Sequence, residues 1–194
     1  VAKNNYSVTQ QTTEHSLKKS DLDSSSADAQ SQNLQIQFPL EKNSLLNLID
    51  SILYQTDTYL GVTEKYKSYN DSYEIYLWAK NSATKTQAEN TVYNLYRVRS
   101  DIAALPSDVI ESKTISDGIE TLQKWYDKAK QLLDETKEVL INSVASSTFP
   151  QTTIDWYKSS IDWLNASLQS AKSAFVSYRK QINSLLSQAP GWSL

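Results

Sequence analysis

Trp156 and Trp163 are the residues whose type and spacing carry the clearest chemical signal, and the chemistry is non-covalent. They recur inside Ile154-Asp155-Trp156-Tyr157 and Ile161-Asp162-Trp163-Leu164, one heptad apart. On an α-helix that interval is two turns, so the two indoles stack in one column and Asp155 and Asp162 in the column beside it. An indole is a large apolar body with a single N–H donor, and one that stands out from a surface acts as an anchor for a partner protein. The plainer reading is burial of the same flank against a neighbouring helix or under an N-terminal leader. The column runs on as Ser170, Ser177 and Ser184, which confines the feature to the start of the helix.

Tyrosine is the second signal, with 12 copies, most of them at core-seam positions that packing accounts for. Tyr59, Tyr66, Tyr69, Tyr73 and Tyr76 fall at mostly three- and four-residue intervals, the spacing of a bundle seam where each ring is buried and each hydroxyl reaches outward. The distal members Tyr69, Tyr73 and Tyr76 are also candidates for an aromatic contact surface. Trp78 and Trp125 read as packing residues, and Trp192 as packing over a helix end or lying in a frayed tail.

Covalent and metal chemistry find little support. The single histidine, His15, lies in a polar tail, and there is no cysteine, which removes Ser/His and Cys/His nucleophile systems and thiolate metal sites. A di-metal bundle needs Glu-x-x-His on facing helices, and the chain has no such pair. Asp134, Glu135 and Glu138 lie beside Lys137 on what reads as a solvated face. The three glycines are isolated, so no phosphate-cradling loop is formed. Asn-x-Ser/Thr triplets at Asn5, Asn70 and Asn165 match chance for this composition. The reading is therefore non-enzymatic, with no cofactor.

The elements that would position these residues are helices. Ile154, Tyr157, Ile161, Leu164, Leu168, Ala171, Phe175, Tyr178, Ile182 and Leu185 make an unbroken stripe at 3.5-residue period, which predicts a helix of about 30 residues, roughly 45 Å long. A second stripe from Leu45, Leu48 and Ile52 through the tyrosines predicts a helix over 43–81, either continuous through Gly61 or broken at Asn70 and Asp71. Ala88, Val92, Leu95, Val98, Ile102 and Leu105 mark a shorter helix ended by Pro106, with Thr84/Gln87 or Thr86/Glu89 as its capping box. Ile115, Ile119, Leu122, Tyr126, Ala129, Leu133, Thr136 and Leu140 mark another, started by Thr114/Asp117. Thr152/Asp155 caps the last, and Ala189, Pro190 and Gly191 end it. Short connections make successive helices antiparallel neighbours. The fold class is all-α: an elongated up-and-down four-helix bundle, residues 41–194, with a polar extended leader, residues 1–40. The second helix is shorter than the others, leaving surface for a kinked first helix, a docked leader or a homodimer partner.

Residues 1–33 are rich in Ser, Gln, Thr, Asn and Asp with no apolar period, the composition of a disordered tether. Leu34, Ile36, Phe38 and Leu40 then alternate with polar residues, which predicts an extended segment lying along the bundle. A net charge of -3 gives no basic excess for a phosphate backbone, so nucleic acid is not expected. No apolar run is long enough to cross a bilayer, and there is no concealed apolar hairpin of the pore-forming kind. Val1 reads as a processing boundary, since the chain contains no methionine.

Tether, missing start residue and helical pattern together resemble bacterial surface lipoproteins of the spirochaete kind. That resemblance implies a lipidated cysteine ahead of the given sequence as the membrane attachment, a location at the bacterial cell surface or periplasm, and an adhesin or immune-evasion role toward a host extracellular protein. The alternative is a self-associating helical subunit of a secretion, conjugation or phage assembly.

Overall fold

The apolar stripe of the last helix sets the architecture. In the computed structural model, which describes residues 32, 36–105 and 112–188, the chain forms α1 (residues 36–60), α2 (Ser82–Ala103), α3 (Ser112–Ile141) and α4 (Gln151–Gln188). Ile154, Ile161, Leu164, Leu168, Phe175, Tyr178 and Ile182 are buried along α4, with Tyr157 and Ala171 half-buried at the seam edge. α3 buries Ile119, Leu122, Tyr126, Ala129, Leu133, Thr136 and Leu140, and adds Trp125, Leu132 and Val139 on a second row. The seam positions Ile115 and Leu185 fall within α3 and α4 but their side chains lie outside what is described, as do Pro106, Pro190, Trp192, His15 and, of the tether and the segment after it, residues 1–31 and 33–35.

Side-chain pairs fix the direction of each helix. Asp50 meets Arg99 and Asp57 meets Tyr96, so α1 and α2 are antiparallel. Asp127 meets Lys172 and Asp162 meets Lys137, so α3 and α4 are antiparallel. Gln55 meets Ser160, and the Tyr59 ring stacks on Tyr157, which sets α4 antiparallel to α1. The result is an all-helical up-and-down four-helix bundle, with no strand among the described residues.

Four expectations are corrected. Residues 36–40 are helical, not extended. The period-two alternation is overridden because Phe38 heads a three-and-four stripe continuing through Lys42, Leu45, Ile49, Ile52, Thr56 and Tyr59, all buried. Two polar members hide that stripe. Lys42 reaches the C-terminal end of α2, donating to the Leu105 carbonyl, and Thr56 Oγ1 donates 2.7 Å to the Ile52 carbonyl. Phe38 is seated because Gly118 of α3 has no side chain: a Cβ there would lie 2.6 Å from the ring's Cζ.

The helix over 43–81 stops at residue 60, and the break lies at Gly61, not at Asn70 and Asp71. Gly61 takes φ +64°, the left-handed conformation that ends helices, and its amide donates 2.7 Å to the Asp57 carbonyl. Residues 61–81 then form turns and two short 3₁₀ helices, Lys67–Tyr69 and Glu74–Tyr76. α2 begins under Asn81, whose side chain accepts from the Ala83 amide, and neither threonine pair caps it. α4 begins directly after Pro150, whose carbonyl accepts from the Thr153 and Ile154 amides; Asp155 accepts from Gln151 Nε2 instead of capping.

Candidate protein-interaction face

The end of the bundle formed by residues 61–81 and 142–150 is built on two buried polar side chains. Asp57 is fully buried and all its acceptors are used: Oδ1 takes the Val62 and Thr63 amides at 3.0 and 2.9 Å, and Oδ2 takes Thr63 Oγ1 at 2.6 Å and the Tyr96 hydroxyl at 2.9 Å. A buried carboxylate without a paired cation is tolerable only when its lone pairs are satisfied in this way. Burial, then the hydrogen bond to Asp57, pushes the Tyr96 phenol above its ordinary range. Asn70 lies against Gly61 and donates 2.6 Å to the Leu60 carbonyl, occupying one of the acceptors left open at the end of α1. The excursion also pairs with the α3–α4 connection, through Val144 N–H to the Tyr76 carbonyl and Lys80 N–H to the Asn142 carbonyl.

Aromatic rings fill this end. Tyr73 stacks on Phe149 with centroids 4.5 Å apart, and its hydroxyl lies 3.3 Å from that of Tyr157. Tyr157 stacks on Tyr59 at 3.8 Å, and Trp156 contacts both, at 5.4 and 6.3 Å. Burial pushes the Tyr59 and Tyr73 phenols upward. A second run joins Tyr54, Tyr66 and Tyr69 edge to face.

The candidate contact residues separate on this framework. Trp156 and Trp163 are each 63 % exposed, so the flank that carries them is not covered by a neighbouring helix. Trp156 is braced from beneath by Tyr59 and Tyr157, whereas no ring contact to Trp163 occurs among the described residues. The Asp155 side chain is 60 % exposed with Lys158 Nζ at 3.7 Å, and Asp162, 54 % exposed, pairs with Lys137 across from α3. Tyr69 is exposed, Tyr76 half-buried, and Tyr73 is core. The structure thus joins Trp156 and Trp163 with their two aspartates on one helix, places Tyr73 in the core and leaves Tyr76 half-buried.

Sequence reasoning missed Ile75, Ile141 and Val144, which are exposed at the same end, and Tyr93, exposed with its hydroxyl on the Val62 carbonyl. Val144 takes part in the backbone pairing just described and Ile75 lies next to its acceptor Tyr76; a helical register through residue 81 hid Ile75. Trp125 is buried, and Trp78 is half-buried at φ +50° with Lys85 Nζ 4.0 Å above its ring. Among the described residues no group of three or more His, Asp or Glu is placed to hold a metal ion. A groove of about 370 Å³ lies far from the indoles, between Glu120 and Lys124 of α3 and Arg179 and Asn183 of α4. No helix of the described residues is long and apolar enough to cross a membrane. No family model matches the chain, and neither does any curated protein or solved structure.

Proposed function

We propose that this chain is a non-enzymatic, exported surface protein: a helical bundle carried on the polar segment 1–33, whose Trp156 and Trp163 face binds a host or partner protein as an adhesin or immune-evasion factor. The observation that carries the reading is the 63 % exposure of two tryptophans spaced one heptad apart on a long, well-packed helix. Exposed indoles at fixed spacing on a rigid element lose little entropy on binding and desolvate a large area. Polarity supports display. Residue 36 enters α1 about 35 Å, at 1.5 Å per residue, from Tyr59, the residue on which Trp156 rests. The segment that would act as tether is attached at one end and the aromatic face begins at the other. Membrane attachment through a lipid ahead of residue 1, and location at the bacterial surface or periplasm, belong to the same proposal.

The test measures binding of the purified chain to immobilised extracellular-matrix and serum proteins, beside a Trp156→Ser/Trp163→Ser variant, with light scattering over a range of concentrations. A monomer whose saturable binding disappears in the variant, at unchanged helix content, agrees with the proposal. Oligomers that grow with concentration and disappear in the variant would instead establish the self-associating subunit. Binding that the variant leaves intact would remove the face from the account.

A further inference from the structure

We infer that the occupant of this face is a single amphipathic α-helix of the partner protein, apolar at heptad spacing along one ridge and carrying cations along the flank of that ridge. The inference rests on the protein-binding reading above and narrows it to one kind of partner.

Three observations lead there. The first is shape. At about 100° per residue, the Trp156/Trp163 column and the Asp155/Asp162 column stand roughly 100° apart around α4, and Ser159 and Ala166 lie between them. Both of those small residues are exposed, and the Ser159 hydroxyl turns back to the Asp155 carbonyl at 2.9 Å, so the strip makes no unmet polar demand on a visitor. Indoles wall one side, carboxylates the other. Each wall repeats after seven residues, about 10.5 Å along the axis, and a second helix lying nearly parallel presents knobs at that same interval.

The second is area. Two indoles at 63 % exposure offer about 300 Å², well short of the roughly 800 Å² per partner of a standard globular interface. A lone helix, read through anchors at i and i+7, matches a face of that size.

The third is charge, which decides between a foreign helix and a second copy. Packing α4 on α4 of another copy would bring two Asp155 and two Asp162 side chains into one seam, and like charges at flanking positions oppose pairing. Lys137 approaches Asp162 from α3, the side away from the indoles, and Lys158 lies further round on that same side; both aspartate side chains nevertheless remain more than half exposed. A cationic flank on the visitor completes them.

The experiment uses the full chain and fluorescently labelled synthetic helices of about 20 residues: one with a heptad leucine ridge flanked by lysine, one with the same ridge flanked by glutamate, and one with the lysine composition in scrambled order. Anisotropy should show saturable one-to-one binding of the first, with the other two weaker by about tenfold or more. Trp163→Ser should weaken the first by about tenfold, and Asp155→Asn/Asp162→Asn should abolish the preference for lysine over glutamate. Equal binding of the scrambled peptide, equal binding of the glutamate peptide, absence of binding, or dimerisation of the bare chain through this face would each overturn the inference. Loss of matrix or serum protein binding in the double tryptophan variant, together with failure of every helix, would leave the protein-binding reading standing and refute only the helical occupant.

Discussion

Gly61→Ala should destabilise the fold by about 2–5 kcal/mol, and the size can be built from two separate effects. The φ of +64° places Gly61 in the left-handed region, where a Cβ costs about 1–2 kcal/mol. The same Cβ would lie 2.5 Å from Asn70 Cγ and 2.6 Å from its Nδ2, so the Asn70 side chain must move. Asn70 is 2 % exposed, and moving it breaks its bond to the Leu60 carbonyl and leaves buried polar groups unpaired, about 1–3 kcal/mol more. Asn70→Ala loses that second part by itself. The double variant should therefore be hardly worse than Gly61→Ala, because the clash vanishes with the side chain that suffers it, and a double-mutant cycle should return a coupling of about 1–3 kcal/mol. Urea unfolding followed by circular dichroism measures all four corners. Strictly additive effects, or a Gly61→Ala loss below about 0.5 kcal/mol, would refute the account of how α1 ends.

Gly118→Ala should destabilise despite alanine's intrinsic helix advantage of about 1 kcal/mol, because the Phe38 ring is 1 % exposed and cannot yield; in a Phe38→Leu background the sign should reverse, which thermal unfolding would show. Stability should fall as pH rises past the ordinary tyrosine value of 10. Burial raises the Tyr73, Tyr96, Tyr126 and Tyr178 phenols, so the unfolded chain ionises first and binds fewer protons than the folded one. Unfolding should then coincide with the ultraviolet change of phenolate formation, and titration of all twelve tyrosines below the unfolding transition would contradict this. Trp163→Ser should leave urea stability within about 0.5 kcal/mol of the wild type, since the residue is 63 % exposed and makes no ring contact among the described residues, whereas Trp156→Ser should cost about 1–3 kcal/mol through its lost contacts with Tyr59 and Tyr157.

The helices of the second half were legible because their stripes keep an uninterrupted spacing with one plainly polar member, Thr136 of α3, and none in α4 from Ile154 to Ile182. The first half misled in two ways. Lys42 and Thr56 interrupt the apolar pattern of α1 yet are buried, since each donates to a backbone carbonyl within reach. Beyond Gly61 the opposite happens: Tyr59, Tyr66 and Tyr73 keep a seven-residue interval and are all buried, but no continuous helix carries them. A 3₁₀ helix also brings residues three apart to one side, and the turns between the two short ones redirect the chain, so period alone does not distinguish this segment from an α-helix. The exposure of the tryptophan pair was half legible. Spacing put both rings in one column, two positions off the seam, but whether a neighbour covers that flank depends on the placement of α1 and α3, which no local pattern encodes.

The two indoles should respond differently when the aromatic end is loosened. Trp156 rests on Tyr59 and Tyr157, Tyr157 is packed by Tyr73 and Phe149, and Tyr73 belongs to the excursion that Asp57 and Asn70 tie to α1. Trp163 stands two turns further along α4, outside that chain of rings. Asp57→Ala removes the acceptor of four hydrogen bonds at once, and leaving buried donors unpaired costs about 1–3 kcal/mol each before water enters. That loss should open residues 61–81 locally while the seam of α4 holds the rest of the bundle. With fluorotryptophan incorporated, the Trp156 resonance should shift and broaden in Asp57→Ala while that of Trp163 keeps its position, and amide protection should fall in 61–81 ahead of α4. Equal disturbance of both resonances would mean that the aromatic end and the α4 seam unfold as one unit, and that Asp57 holds the whole bundle instead of the orientation of one anchor.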